Sequence, residues 1–229
     1  MAVVTKRIEW DKSGERLYET GIEKGVLYPI SNGQYQKGVA WNGLTAFTES
    51  PSGAENTDLY ADNIKYLSMQ SAETFGGTIE AYMYPDEFAE CDGSANVADG
   101  VTIGQQTRKG FGFCYRTKVG NDTDGNEHGD KIHIVYGCKC SPSEKNYQTI
   151  NDSPDAITFS WEVNSTPVNV TNHKPTSCLV IDTTKISEAA LTAIEDALYG
   201  KNGEDTAATD PKILMPDEVI AIITENPKS

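Results

Sequence analysis

The residues best suited to metal chemistry are two cysteines and a histidine. Cys138 and Cys140 would lie on one face of a strand, and His133 precedes them, so thiolate and imidazole ligands for zinc could meet there. One residue between the cysteines is not the usual zinc spacing, and the sequence has no second pair of this kind. The five cysteines, at positions 91, 114, 138, 140 and 178, are an odd number, which predicts free thiols in a reducing compartment.

Carboxylates offer two further possibilities, a calcium loop and acid–base catalysis. Asp122, Asp124 and Asn126 are spaced like calcium ligands, but Glu127 stands where such a loop needs glycine, and no helices flank it. The neighbouring acids Asp86/Glu87 and Glu195/Asp196 would point in different directions on a helix. Nucleotide-binding, hydrolase and zinc-protease motifs are absent from the sequence. We therefore expect no enzyme activity, no cofactor and no metal.

Alternating apolar and polar residues predict a mainly β fold. The pattern runs through Ile79 and Ala81, through two runs near residues 111–116 and 132–137, and through Phe159, Trp161 and Val163. Gly76-Gly77 predicts a bulge or bend in the first of these strands. We predict a β-sandwich or partly open barrel over residues 41–229, preceded by an extended N-terminal arm over residues 1–40.

Two helices and a closing strand are expected beside this sheet. Pro85 followed by two acids predicts a short helix that turns Phe88 and Cys91 toward the sheet. A longer helix over residues 187–199 would be capped by Ser187 and ended by Gly200. The run KILMPDEVIAII is predicted to be the closing strand.

Residues 51–63 form a polar excursion between two strand-like runs. Pro51 and Gly53 open it, and no hydrophobic period is apparent in it. Long unstructured loops in compact domains are usually functional or disordered. We interpret this segment as an arm whose partner lies outside its own domain.

Charge limits the classes of partner. The 229 residues have a net charge of −15, and residues 41–100 contain eleven acidic residues but one basic residue. Because phosphate binding depends on lysine and arginine, conventional nucleic-acid binding is excluded. The N-terminal sequence has no apolar segment typical of a secretory signal, so a cytosolic origin is expected.

Several blocks resemble the major tail (tail tube) proteins of long-tailed bacteriophages, the siphoviruses, that infect Gram-positive hosts. The likeness extends from about Gly25 to Ile223 and includes the blocks YPDEFAE, NDSPDAITFSWE and LMPDEVIAII. It implies a structural virion protein whose homohexameric rings stack head to tail into a hollow tube that conducts DNA without binding it specifically. It also implies tape-measure, tail-tip and tail-terminator proteins as partners, and a location in the virion tail after assembly in the host cytoplasm.

The resemblance gives the polar excursion and some acidic residues specific roles. An extended loop bridges adjacent rings in this family, which assigns inter-ring contact to a set in the excursion: Pro51, Ser52, Gly53, Glu55, Asp58, Tyr60 and Asp62. Acids on the polar faces of strands would repel DNA near the wall of the channel, since screening limits their reach to roughly 8 Å. Glu73, Glu80 and Glu162 are the predicted luminal acids.

Two other functions stay open. The inner tube of a contractile injection system would share this architecture and differ in its sheath and cargo. A carbohydrate-binding β-sandwich would need aromatic side chains on an exposed face.

Overall fold

The computed structural model describes residues 8–150, 152, 155–203 and 208–228. Residues 1–7 of the predicted arm and residues 204–207 of the last polar loop therefore lie outside the described residues. Within the described part the chain is mainly β, with 45% strand and 13% helix, and the mainly β prediction is confirmed. None of its helices has the length and apolar character needed to cross a membrane.

Strands follow one another through most of the chain. In order they are β1 Tyr18–Ser31, β2 Gln34–Tyr35, β3 Val39–Trp41, β4 Leu44–Glu49, β5 Ser52–Gly53, β6 Asn56–Ala61, β7 Ile64–Gln70, β8 Glu73–Thr74, β9 Gly76–Ala81, β10 Ala95–Ala98, β11 Val101–Ile103, β12 Phe111–Asn121, β13 Gly125–Cys140, β14 Phe159–Asn164 and β15 Cys178–Asp182. Single 3₁₀ turns span Asp86–Phe88 and Thr183–Lys185. The α-helices are α1 Glu188–Tyr199 and α2 Pro216–Glu225.

Nine of these strands form one large antiparallel sheet. Its order is β2-β1-β12-β13-β14-β9-β4, with β15 beside β13 and β3 beside β1. The strand β13 connects the two halves, because its Lys131–Val135 part pairs with β12 and β15 while Lys139 and Cys140 pair with β14. Gly137, with a φ of +58°, lies between these two parts.

The two halves of the sheet meet around an aromatic core. Trp41, Phe88 and Trp161 are 0–3% exposed, and their ring centroids lie 4.5–5.7 Å apart. Phe113 from β12 packs on the same group at 5.5 Å from Trp41. Phe88 and Cys91 are fully buried, which confirms that the turn after Pro85 faces the sheet, although it is a 3₁₀ turn and not an α-helix.

A second core lies on the opposite face of β12 and β13, under the helices. Ile134 of β13 and Ile194 and Leu198 of α1 are fully buried there. Tyr28 Oη donates to the carbonyl of Leu198 at 2.7 Å, and Tyr136 Oη donates to that of Leu214 at 2.8 Å. Because both faces of these strands are covered, Cys114 is buried as well as Phe113.

The predicted closing strand is wrong, because its residues form α2. Pro216 occupies the first turn, where its missing N–H costs nothing, and the Glu218 carboxylate accepts from the Met215 N–H at 2.8 Å. Val219, Ile222 and Ile223 recur at helical spacing and pack on the second core. Ile213 and Leu214, just before the helix, are buried.

Two other predictions need correction. The arm is shorter than residues 1–40, because β1 pairs with β12 from Tyr18 onward and buries Leu27 and Tyr28. Gly76-Gly77 forms no bulge, since β14 pairs with both glycines in regular register. Glycine is required at Gly77 for space, because a Cβ there would lie 2.8 Å from Phe47 Cζ.

Candidate functional site

The polar excursion is an ordered β-hairpin, and the prediction that residues 51–63 are unstructured is wrong. The hairpin continues the β4–β9 ladder: Ser50 N–H donates to the Gly76 carbonyl at 2.8 Å, and then β5 pairs with β8 and β6 with β7. Asp62 and Asn63 form the turn, with φ values of 51° and 62°. Asp and Asn tolerate this left-handed conformation, which is typical of two-residue hairpin turns. From Ser50 to the turn the hairpin extends roughly 40 Å.

One face of the hairpin is apolar. The register pairs Thr57 with Met69, Leu59 with Leu67 and Ala61 with Ile64, so these residues share a face. Every residue of β6 and β7 is exposed, including Leu59 at 43% and Ile64 at 64%. We call this set the apolar hairpin face: Thr57, Leu59, Ala61, Ile64, Leu67 and Met69. Nothing in the described residues covers it.

The other face is polar and internally bonded. Asp58 accepts from Lys65 Nζ at 2.8 Å and from Ser68 Oγ at 2.7 Å, and both contacts hold the pKa of Asp58 below its ordinary value. Tyr60 pairs with Lys65 on this face and is 71% exposed. A register shift between Leu59 and Tyr60 leaves Tyr66 as an extra residue of β7.

The predicted inter-ring residues all belong to this hairpin or to its start. Ser52 and Gly53 form β5 at its base, where Ser52 Oγ lies 2.8 Å from Thr74 Oγ1. A Cβ on Gly53 would lie 2.3 Å from the Ala72 carbonyl oxygen, so the base needs glycine. Glu55, Asp58 and Asp62 are exposed along its length. The sequence reading missed the apolar hairpin face, which the alternation of Thr57, Leu59 and Ala61 before Asp62-Asn63 could have revealed.

The structure brings two of the three predicted luminal acids together. Glu80 pairs with Ser160, and Glu162 pairs with Thr78 on the neighbouring strand, so the two glutamates are diagonal neighbours on one face. This face of β4, β9 and β14 points away from the aromatic core, and Lys139, which pairs with Asn164, shares it. Glu73 lies apart, in β8 at the base of the hairpin.

The residues considered for metal binding have other partners. Asp122 accepts from the Gly14 N–H at 3.0 Å, Asp124 from Asn121 Nδ2 at 3.0 Å, and Asn126 from Tyr18 Oη at 2.7 Å. Cys138 and Cys140 are buried in the aromatic core, and all five cysteines are free thiols. Burial raises the pKa of the Cys91 and Cys114 thiols to about 12.

The adjacent acids Glu195 and Asp196 point in different directions, as expected. Glu195 forms an ion pair with Arg116 under the sheet, whereas Asp196 pairs with Lys201 at the surface at 3.0 Å. Asp86 and Glu87 lie in the first turn of the 3₁₀ helix that buries Phe88. Comparison of the sequence with protein-family models and with curated proteins found no match.

Proposed function

We propose that the chain is a structural subunit of a hollow tube, the tail tube of a long-tailed phage, and not an enzyme. The observation that carries the proposal is the hairpin over residues 52–74. It is ordered by its own ladder, yet its apolar hairpin face is exposed to solvent. Large exposed apolar surfaces mark sites of protein association.

The hairpin also has the shape of a connector between copies. Its length of roughly 40 Å exceeds the thickness of a two-layered sheet, whose layers lie about 10 Å apart, so it extends well beyond its own domain. In the part of the chain that the structure describes, β6 and β7 pair only with each other, so their outer edges carry unpaired backbone groups, a liability that proteins usually cover. Docking on the next ring would cover both the apolar face and these edges.

The sheet face with Glu80 and Glu162 suits the wall of a DNA channel in this proposal. Each subunit would contribute two carboxylates and the Lys139 ammonium to the wall, a net repulsion that keeps the polyanion moving. Replacing both glutamates by lysine should leave tubes intact and slow DNA ejection. Unchanged ejection from such tubes would exclude this face as the lumen.

The main test is negative-stain electron microscopy of the full chain over a concentration series. Six-fold rings or long tubes are expected, and the same chain with residues 52–74 replaced by a short glycine linker should remain folded without forming long tubes. Normal tubes from the deletion variant would contradict the role of the hairpin. Particles that stay dispersed at every concentration would contradict self-assembly.

The same surfaces would serve the inner tube of a contractile injection system. Purification of intact particles from producing cells separates the two functions, because only the contractile system would show a sheath around the tube. The sheet face of β4, β9 and β14 carries Thr48, Thr78 and Ser160 where a carbohydrate-binding sandwich would need aromatic rings.

A further inference from the structure

A polar cleft of about 460 Å³ lies where three segments of the chain meet. They are the segment after the 3₁₀ turn of Asp86–Phe88, the loop between β11 and β12, and the segment after β13. The charged residues that line the cleft are Asp92, Arg108 and Lys145. Asp92 is buried and forms an ion pair with Lys145, so Arg108 gives the cleft a net positive charge in a chain whose net charge is −15. We call it the Arg108 cleft.

The guanidinium of Arg108 has no partner. No residue that the structure describes forms a hydrogen bond or an ion pair with it, although Arg108 is partly buried and its Nε fully so. Leaving a partly buried cation unpaired costs free energy, and native proteins rarely do so. The buried Nε is out of reach of a ligand, but the two terminal nitrogens keep accessible surface in the cleft. Arginine binds carboxylates through two parallel N–H bonds, which these two nitrogens can supply.

Backbone contacts hold Arg108 in place. Gln106 N–H donates to the Gly93 carbonyl at 2.9 Å, and Lys109 N–H donates to that of Glu90 at 3.0 Å. The residues on both sides of Arg108 are therefore bonded to the neighbouring segment. Gly93 leaves room for the side chain, since a Cβ there would lie 3.1 Å from Arg108 Cζ. A cation held in this way loses little conformational freedom when it binds a ligand.

The β10–β11 hairpin places apolar side chains beside this cation. Its flanking residues Ser94 and Gly104 line the Arg108 cleft, so this hairpin begins and ends at the rim. Val97, Val101 and Ile103 are exposed on it, at 57%, 50% and 43%. An arginine next to apolar side chains is typical of protein interfaces. A free anion would leave these apolar side chains in water, so a protein segment that carries a carboxylate fits this surface better.

The tip of the long hairpin over residues 52–74 carries the complementary groups. Asp62 lies in its turn, exposed and without an ion pair to any described residue. Ala61 and Ile64, which pair at the end of the apolar hairpin face, lie next to it. The carboxylate of Asp58, farther from the tip, is already bonded within the hairpin. Asp62 is therefore the free carboxylate that lies beside exposed apolar side chains.

We infer that the Arg108 cleft receives the hairpin tip of a second copy of this chain. The Asp62 carboxylate binds the terminal nitrogens of Arg108, and Ile64 packs on the exposed side chains of the β10–β11 hairpin. One contact then covers both unpaired charges and both apolar surfaces. Because the tip and the cleft are different surfaces, the contact is head to tail and can repeat along a filament. The inference rests on the proposed self-assembly and names the surface on which the long hairpin docks.

Exchange of the two charges tests this contact. Arg108→Glu and Asp62→Lys should each raise the protein concentration needed for tubes at least about tenfold, because each loses a charge-assisted contact and gains a repulsion. The chain with both substitutions should return toward the wild-type value, since the ion pair is restored in reverse. Glu55→Lys changes an exposed acid of the same hairpin and, as the matched control, should not rescue Arg108→Glu. Absence of rescue by Asp62→Lys, or equal rescue by Glu55→Lys, would overturn the inference.

A conservative variant gives a second readout that needs no rescue. Arg108→Lys keeps the charge and supplies an amine, which a water-soluble carbodiimide joins to a carboxylate in contact with it. Tubes of this variant, assembled from ¹⁴N- and ¹⁵N-labelled protein, are cross-linked and analysed by mass spectrometry, and mixed-isotope peptides that join Asp62 to position 108 are expected. Tubes with other links between copies but none at this pair would overturn the inference and leave the tube proposal standing. A wild-type chain that forms no tubes would refute the tube proposal itself, and this inference with it.

Discussion

The backbone of Gly137 lies against the backbone of Thr166. The Thr166 N–H donates to the Gly137 carbonyl at 3.0 Å, and a Cβ on Gly137 would lie 2.4 Å from the Thr166 carbonyl oxygen. This contact holds the point at which β13 passes from one half of the sheet to the other. Both the close approach and the positive φ require glycine there.

Gly137→Ala should therefore lower the free energy of unfolding by about 2 kcal/mol or more, because it adds a clash to a strained backbone conformation. Urea denaturation followed by tryptophan fluorescence measures this. Gly104→Ala is the matched control, since no atom lies within 4 Å of its Cβ position, and should stay within about 0.5 kcal/mol of the wild type. Equal stability of the two variants would contradict the argument.

The ion pair between Arg116 and Glu195 predicts a second stability effect. Arg116 has a side chain that is 5% exposed, and it also binds Asp130 at 3.1 Å. Glu195→Ala leaves this buried guanidinium with one carboxylate, which should cost about 2 kcal/mol. Asp196→Ala breaks a surface pair with Lys201 and should cost less than about 1 kcal/mol. Chemical denaturation measures the free energy of unfolding of both variants. A smaller loss of stability for Glu195→Ala than for Asp196→Ala would refute the role of the ion pair.

The two faces of the hairpin should contribute differently to assembly. The double variant Leu59→Ser, Leu67→Ser should keep the melting temperature of the dispersed protein, because both side chains are about two-fifths exposed, at 43% and 39%. It should raise the concentration needed for tubes at least about tenfold, since both side chains would lose their burial at the contact. Sedimentation of tubes measures this. The polar-face variant Asn56→Ser, Gln70→Ser should assemble normally, and equal defects in both would contradict an apolar contact.

His133 gives the dispersed protein a pH dependence of known sign. Burial lowers its pKa in the folded state, despite the neighbouring carboxylates of Glu19 and Glu49, and Lys131 adds to the lowering. The unfolded chain therefore binds the proton more readily, and stability falls as the pH drops below the ordinary value of about 6.5. One such group contributes at most about 1.4 kcal/mol per pH unit.

The measurement is urea denaturation of the wild type and of His133→Gln between pH 5 and 8. Both proteins keep the carboxylates next to position 133, so only the imidazole differs between them. As the pH falls, the free energy of unfolding of the wild type should decrease more than that of His133→Gln. A difference that is constant with pH would show that His133 takes up its proton equally in both states.

Much of the sheet was predictable because its residues obey a local rule. Trp161 and Val163 alternate with exposed Glu162, and the cap and stop of α1 are encoded by Ser187 and Gly200. The hairpin obeys the same alternation, but its apolar residues are exposed and interspersed with acids, so its pattern looked like that of a loop. For α2, the run of apolar residues fits a strand or a helix, and Pro216 followed by two acids favours the helix.

The candidate site was only partly predictable, because it depends on pairings between distant residues. The diagonal placement of Glu80 and Glu162 follows from the register of β9 on β14, which no local pattern specifies. A polar cleft between β1 and β4 likewise depends on distant parts of the chain, because Glu19 and His133 both line it. The predicted N-terminal arm was too long because glycines interrupt the alternation of apolar and polar residues in β1. The pairing of β1 with β12 is irregular in the same region, between Thr20 and Val26.

The continuity of the hairpin with β4 and β9 determines how the subunit would bear a mechanical load. A force applied at the hairpin tip runs along β9, which is held to β14 by six consecutive pairings from Ala81 to Gly76. Because the force is parallel to the strands, these pairings are sheared together and cannot be opened one at a time. A filament joined through such hairpins would resist stretching through the sheets of its subunits, and bending would be taken up at the two-residue strands at the hairpin base.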